Sequence, residues 1–309
     1  MSIFLPEGST FTDSDTPSSY SEAELKNAKL EKTILEARAV MCDSEHNLHV
    51  DLGSIRGVIP RELGALGIAE GKVRDIALIS RVNKVVCFTV EGFDEAVDGK
   101  KIAILSRRNA QEICKNKFIE NLVCGDIIDA KITHLEKFGA FCDIGCGIVA
   151  LMPIDAISVS RISHPSDRFC VGDKISAVVR SIDENHRITL SLKELLGTWQ
   201  ENADLFNVGQ TVRGVVRSVE HYGIFVELTP NLAGLAEPME GIFVGQEVSV
   251  YIKSLISQKM KVKLVIIDTF EKAEQCTNPL KYFVNLQKID HWQYSPKESK
   301  NKIVETIFE

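Results

Sequence analysis

Two aromatic residues bracket a glycine in the stretch KFGAF, and the same spacing returns further along the chain in HYGIF. The rings are Phe138 and Phe141 in the first case and Tyr222 and Phe225 in the second. Around the first pair, Ala140, Cys142 and Ile144 alternate as one apolar face of a strand. A strand side-chain period of two then leaves Phe141 and Asp143 on the opposite, wet face. Further on, the outward parity of a closing hairpin carries Arg187, with Asp183 at the turn, and the second copy has Lys261 and Lys263 in those slots. Rings and cations sharing one exposed face suit an unpaired nucleic-acid strand, since bases stack on the rings and phosphates follow the cations. Stacking accepts any base and contributes about 1–3 kcal/mol each. The plainer alternative is that the rings merely pack on neighbouring elements, because single exposed apolar residues are ordinary. Recurrence of the same slots in two units, each with a cation on its last strand, favours binding.

Other chemistry is harder to find. Cys142 and Cys146 are spaced like half of a metal site, but Cys142 has inward parity and no second Cys/His pair stands at ligand spacing. The seven histidines form no metal or triad pattern. GAFCDIGCG follows a strand but leads into no helix, so it is not a phosphate cradle. Asp183 and Glu184 are turn residues of the ordinary kind. The expectation is a protein without cofactor, without metal and without enzymatic activity.

The elements that must carry the rings repeat. VCGDIIDAKITHLEKFGAFCDIGCGIVALMP, from Val123, is echoed by NVGQTVRGVVRSVEHYGIFVELTPNLAGLAEP, from Asn207. Each copy runs on through a second glycine opener into a hairpin whose inward residues are Ile188 and Leu190, or Val262 and Leu264. Five short antiparallel strands in one small unit leave edges that a closed barrel removes, which is the OB-fold pattern. A weaker third copy runs from about Lys29 to Phe93, with Leu48, Val50 and Leu52 inward and His49 in the slot equivalent to Phe141. LSRRNAQEICKNKFIENL reads as a helix capped by Ser106, with Leu105, Ile113, Phe118 and Leu122 as its apolar side. KELLGTWQENADLF reads as a second, shorter helical linker. The fold class expected is therefore all-β, tandem five-stranded OB barrels joined by short helices.

Composition sets limits on partners. Hydrophobic residues make up 44% of 309 residues, which suits several soluble globular cores. No apolar run is long enough to span a membrane, and the first residues lack the basic and apolar regions of a signal peptide. Eight cysteines without paired spacing suit reduced thiols in a cytoplasmic protein. The net charge of −7 argues against a duplex-coating protein. That charge is uneven, however. Glu7, Asp13, Asp15, Glu22 and Glu24 stand in the first 25 residues without a base, which reads as a disordered acidic tail. Lys100, Lys101, Arg107, Arg108, Lys115 and Lys117 face only Asp98 and Glu112 between residues 98 and 119, a candidate phosphate-contacting helix.

GDIIDAKITHLEKFGAFCDIGCG, followed by RSIDENHRITLSLKE, resembles the S1 RNA-binding domain of bacterial ribosomal protein S1. The glycine opener, the FGAF step, the glycine-rich turn and the D-x-x-x-R-I-x-L-S hairpin occur in the family's order. A poorly matching first unit, a basic helix and two better units are similar to the short S1 homologues of Gram-positive bacteria. The resemblance implies that Phe138, Phe141, Asp183 and Arg187 lie on an RNA face, with Tyr222, Phe225 and Lys261 in the third unit. It also implies partners: single-stranded mRNA and the small ribosomal subunit. Departures exist. Pro153 and Pro238 stand where many members have a histidine, His164 has no counterpart in the third unit, and the first unit lacks both aromatics.

The domain limits expected are a tail at 1–28, a degenerate barrel at 29–93, a basic helical linker at 94–122, a barrel at 123–195, a linker helix at 196–206, a barrel at 207–268 and an extension at 269–309. Aromatics in KYFVNLQKIDHWQYSP are expected to pack on the last barrel. The rival readings are a protein-interaction adaptor docking on ribosomal or ribonuclease partners, and an RNA regulator or chaperone outside translation. The adaptor draws on the second unit's charge, eight bases against eleven acids over residues 120–196.

Overall fold

The computed structural model describes residues 4–9, 19–95, 99, 101–270, 280–299 and 303–308. Three closed five-stranded barrels follow one another. The first is built from β1 (Leu35–Cys42), β2 (Leu48–Asp51), β3 (Arg56–Ile59), β4 (Val85–Glu95) and β5 (Lys101–Ser106), in the order β1-β2-β3-β5-β4, with the short helix α2 (Ile76–Ile79) between β3 and β4. The second uses β6 (Ile127–Glu136), β7 (Gly139–Asp143), β8 (Val149–Pro153), β9 (Lys174–Ile182) and β10 (Ile188–Ser191). The third uses β11 (Thr211–Glu220), β12 (Gly223–Thr229), β13 (Leu232–Ala236), β14 (Glu247–Ile256) and β15 (Lys261–Thr269). In all three, the third and fifth strands pair in parallel to close the cylinder.

The alternation does what the period requires. Ala140, Cys142, Ile188 and Leu190 are buried in the second barrel, and Val226, Val262 and Leu264 in the third. Leu48, Val50 and Leu52 are buried in the first. Asp143 departs from its expected wet position. It is buried, and its carboxylate accepts the N–H groups of Gly145 and Gly147 at 2.9 and 3.0 Å and that of Glu7 at 2.8 Å.

Two expected boundaries need correction. The described parts of the supposed tail are placed, not loose. Helix α1 (Glu22–Glu31) starts with a capping box in which Ser21 and Glu24 bond reciprocally, and it buries Leu25 and Ala28. Residues 10–18 lie outside the described residues. The first barrel also closes later than expected, because Lys101–Ser106 is its fifth strand and pairs with β4 along its length. KIAILS has strand alternation, with Ala103 and Leu105 inward, which its place in a basic cluster obscured. Only from Arg107 does the helix begin, as α3 (Arg107–Lys117), with Ser106 accepting the N–H of Asn109 at 3.0 Å. Its buried face is Arg107, Ala110, Gln111 and Cys114, rather than the Ile113 side.

The chain forms two compact units. One takes Met1–Leu122 with Asp129–Lys131 and Asp143–Val149; the other takes the rest. Within the second unit, the loop following the short helix α4 (Ile154–Ile157) meets the third barrel. Fully buried Asn231 accepts the N–H of Val159 at 3.0 Å and donates to the carbonyls of Lys193 and Gly197, both at 2.8 Å. Beside it, Arg168 is paired with Glu227, which also takes Arg217 Nε at 2.9 Å. Helix α5 (Trp199–Ala203) supplies the linker, and Trp199 is buried. The extension packs on this linker as well as on the third barrel. Tyr294 accepts the N–H of Trp199 at 3.0 Å and donates its hydroxyl to the carbonyl of Asn231 at 2.6 Å. It also reaches the second barrel, since Ile127 donates its N–H to Gln287 at 2.8 Å. Strands β16 (His291–Gln293) and β17 (Glu305–Ile307) pair with each other.

Removing one partner of a buried ion pair strands the other charge and costs about 3–5 kcal/mol. Glu227→Ala, which leaves buried Arg168 without its ion-pair partner, is therefore expected to lower unfolding stability by about that amount in urea titration. Arg187→Ala, whose side chain is 77% exposed, changes it by less than about 1 kcal/mol.

Candidate nucleic-acid interface

In the second barrel, Phe138 is 56% exposed, and its ring meets that of Phe141 edge-on at 5.9 Å between centroids. His134, which sequence reasoning missed, lies over the other side of Phe141 at 6.2 Å and 28°. Three rings therefore stand in a row. The glycine between the phenylalanines has a steric reason. A Cβ on Gly139 would come 2.4 Å from the carbonyl oxygen of Met152, so only glycine lets the paired strands β7 and β8 approach this closely. Gly223 repeats this, with a Cβ position 2.6 Å from the carbonyl oxygen of Ala236.

At the closing hairpin, Asp183 accepts the backbone N–H of Arg187 and its Nε, both at 2.8 Å. These bonds hold the Asp183 carboxyl below its usual range. Asp183 thus shapes the turn and aims Arg187, leaving the guanidinium largely in water. His164 is occupied locally, its Nδ1 accepting the N–H of Ser166 at 3.1 Å.

The third barrel assembles a fuller site. Tyr222 is 54% exposed and meets Phe225 edge-on at 6.2 Å. His221 adds a ring 5.0 Å from Tyr222. Phe225 stands opposite Leu235 on β13, and Leu235 stands opposite Lys263 on β15. Aromatic, aliphatic and cation therefore lie side by side across three strands. With Lys253, Met260 and Lys261 they line a cleft of about 480 Å³. Lys253, Lys261 and Lys263 are exposed and make no ion pair among the described residues. Leu235 and Lys253 were not expected, because the pairings that bring them in join strands far apart in the chain.

The first barrel and helix α3 differ. His49 has the equivalent slot, but Asp43 engages its Nε2 at 3.1 Å, and its neighbours in a cleft of about 810 Å³ include Val40, Met41 and Ile55 rather than rings. The expected phosphate-contacting role of Arg107 is overturned. Its side chain is 3% exposed and bonds Glu7 through Nε at 2.6 Å. Arg108 is paired with Glu112 and Glu70, Lys101 with Glu22, and Lys115 lies 3.9 Å from Glu120. Lys117 is exposed, and Lys100 lies outside the described residues. Most of the basic cluster is thus already matched by acids.

The S1 RNA binding domain family matches residues 124–193, the second barrel with the rings and Arg187. The small ribosomal subunit protein bS1 of Leuconostoc lactis is 30% identical over 74% of this chain and 55% of its own length. The small ribosomal subunit protein bS1 homolog of Bacillus subtilis (strain 168) is 28% identical over 82% of this chain and 65% of its own. The chain is related to the bacterial ribosomal S1 proteins. It spans somewhat over half to just under two thirds of the length of these S1 relatives. Among solved structures, a multidomain protein with nucleic acid binding domains from Streptococcus pneumoniae aligns over 78% of this chain and 75% of its own at 14% identity, with a TM-score of 0.26, too loose to carry an argument. Among the described residues no helix is long and apolar enough to cross a membrane, and no cluster of His, Cys, Asp or Glu could hold a metal ion.

In this S1 relative the two close-approach glycines are a check on the site's construction. Gly139→Ala and Gly223→Ala each force a methyl against a backbone carbonyl, and overpacking of this kind costs about 1–3 kcal/mol. Chemical denaturation is expected to show that loss for both.

Proposed function

We propose that the chain binds single-stranded RNA through the aromatic and cationic faces of its second and third barrels, and that its biological ligand is unstructured mRNA presented to the small ribosomal subunit in the cytoplasm. The observation that carries this reading is the third-barrel cleft, where Tyr222 and Phe225 stand beside exposed Lys253, Lys261 and Lys263, which make no ion pair among the described residues. Rings at right angles offer two π-surfaces to successive bases, and unpaired ammonium groups are free to take the phosphates between them. In the second barrel, Phe138, Phe141 and His134 give the stacking surface and Arg187 the cation. The binding involves no covalent step, so catalysis is not part of the proposal. The match to the S1 RNA binding domain and the bS1 names of the relatives support the same reading.

For the first barrel, a different surface favours protein contact. Exposed Val40 and Met41, with His49 held by Asp43, leave no stacking platform there. The adaptor reading is therefore retained for this barrel alone.

Fluorescence anisotropy with a labelled, unstructured RNA of about 20 nucleotides, enough for two OB-type sites, tests the proposal. Wild type is expected to bind, with log affinity falling as log salt rises. Tyr222→Ala with Phe225→Ala loses stacking worth about 1–3 kcal/mol per base, a fall of tenfold or more. Lys261→Ala with Lys263→Ala is expected to flatten the salt slope by about 0.7 per phosphate contact removed. Unchanged affinity in folded aromatic variants would instead make these barrels protein-docking modules.

A further inference from the structure

The segment Phe4–Gly8 is held more completely than a passing chain end requires. Pro6, Glu7 and Gly8 are buried. Leu5 accepts the N–H of Cys146 at 3.0 Å, and Glu7 donates its own N–H to Asp143 at 2.8 Å. Lys131 Nζ bonds the carbonyl of Glu7 at 3.0 Å, and Gly8 donates to Glu36 at 3.0 Å. Phe4 stacks on Phe118 at 6.1 Å between centroids.

The Glu7 carboxylate is the centre of this contact. Arg107 grips it with two nitrogens, Nε at 2.6 Å to one oxygen and Nη2 at 3.0 Å to the other, the fork geometry that suits a carboxylate. Arg81 adds Nη1 at 3.2 Å, and the backbone N–H of Cys87 adds a fourth donor at 3.2 Å. Burial works against the ionised form, but the two guanidiniums still hold Glu7 below its ordinary value. Gly147 completes the wall. A Cβ there would come 1.9 Å from Arg107 Nη2 and 2.6 Å from Glu7 Oε2, so the turn is shaped around the occupied pair.

We infer that Arg81, Arg107, Lys131, Asp143 and the turn through Cys146 form a peptide-binding site for a short segment with a central glutamate between proline and glycine, and that the chain's own Phe4–Gly8 is its intramolecular ligand. The site recognises main chain through Asp143, Lys131 and Cys146, and the carboxylate through the arginines. It therefore takes the segment as a unit and releases it as a unit. Release uncovers the amide of Cys87, which Glu7 engages, and that of Cys146, which Leu5 engages; both residues are 2% exposed with the segment seated.

The test uses full-length protein. Labelled FLPEGS peptide is titrated into wild type and into Glu7→Ala, with FLPQGS as the control that changes only the carboxylate. The Glu7→Ala chain is expected to bind FLPEGS at least tenfold more tightly than FLPQGS. Wild type, its site filled, binds FLPEGS at least tenfold more weakly than the variant does. Amide hydrogen exchange at Cys87 and Cys146 is expected to quicken at least tenfold in Glu7→Ala and to slow again when FLPEGS saturates. If Glu7→Ala does not fold, Glu7→Gln keeps the shape and is expected to show the same exchange pattern. Failure of the folded variant to take up peptide, or equal affinity for the two peptides, overturns the proposal. A concentration-dependent dimer lost on Glu7→Ala would place a second copy's segment in the site and overturn the intramolecular assignment.

Discussion

The parallel pairing of third and fifth strands closes each barrel, and the surface chemistry follows from that closure. Without it the sheet would keep two open edges and a second apolar face in water. With it, alternating residues fill the inside, and the outward residues of three adjacent strands become one continuous face. In the third barrel this brings Phe225, Leu235 and Lys263 into a row, although they come from strands separated by a turn, a loop and a hairpin. Neighbouring strands approach closely enough that Gly139 and Gly223 have no room for a side chain. The aromatic-Gly-x-Phe step is thus first a packing solution. The exposed rings flank a glycine that the barrel needs in any case.

This explains what could be read from the sequence. Alternation, the repeat and the glycine-centred step are local signals, so barrel class, inward residues and the rings Phe138, Phe141, Tyr222 and Phe225 were legible. Leu235 and Lys253 were not, since their membership depends on register between distant strands. His134 was hidden by a different device. In the matching strand of the third barrel the register shifts between Val216 and Ser218, so Ser218 stands opposite Phe225 although it shares the parity of buried Val216. A bulge of this kind moves a side chain to the other face, and simple period-two counting places it wrongly. His134 occupies the corresponding position after Ile132, and its ring lies against Phe141.

The first unit departs from what its composition suggests because charges that read as solvated are paired across the fold. Glu7 read as part of an acidic tail and Arg107 as part of a basic helix, each a sensible reading of its neighbourhood. They are one buried pair, 100 residues apart in sequence. Composition cannot reveal such a pair, because a charge reads as solvated until its counter-ion is known. Ser21 and Glu24 did carry a visible capping signal, and Lys101–Ser106 did alternate, but both stood inside segments already classed by composition.

Net charge is therefore a poor guide to what this surface can bind. The total of −7 argues against nucleic acid, and the cluster from Lys100 to Lys117 argues for it. The structure weakens both arguments. Arg107 is consumed by Glu7, Arg108 by Glu112 and Glu70, and Lys101 by Glu22. Among the described residues, the three lysines beside Tyr222 and Phe225 make no ion pair and line a cleft together with those rings. A phosphate chain responds to local unpaired charge within about a Debye length, roughly 8 Å at physiological ionic strength, and scarcely to the sum over distant surfaces. An acidic protein can therefore present a cationic, ring-lined groove, provided its acids stay bound to bases elsewhere.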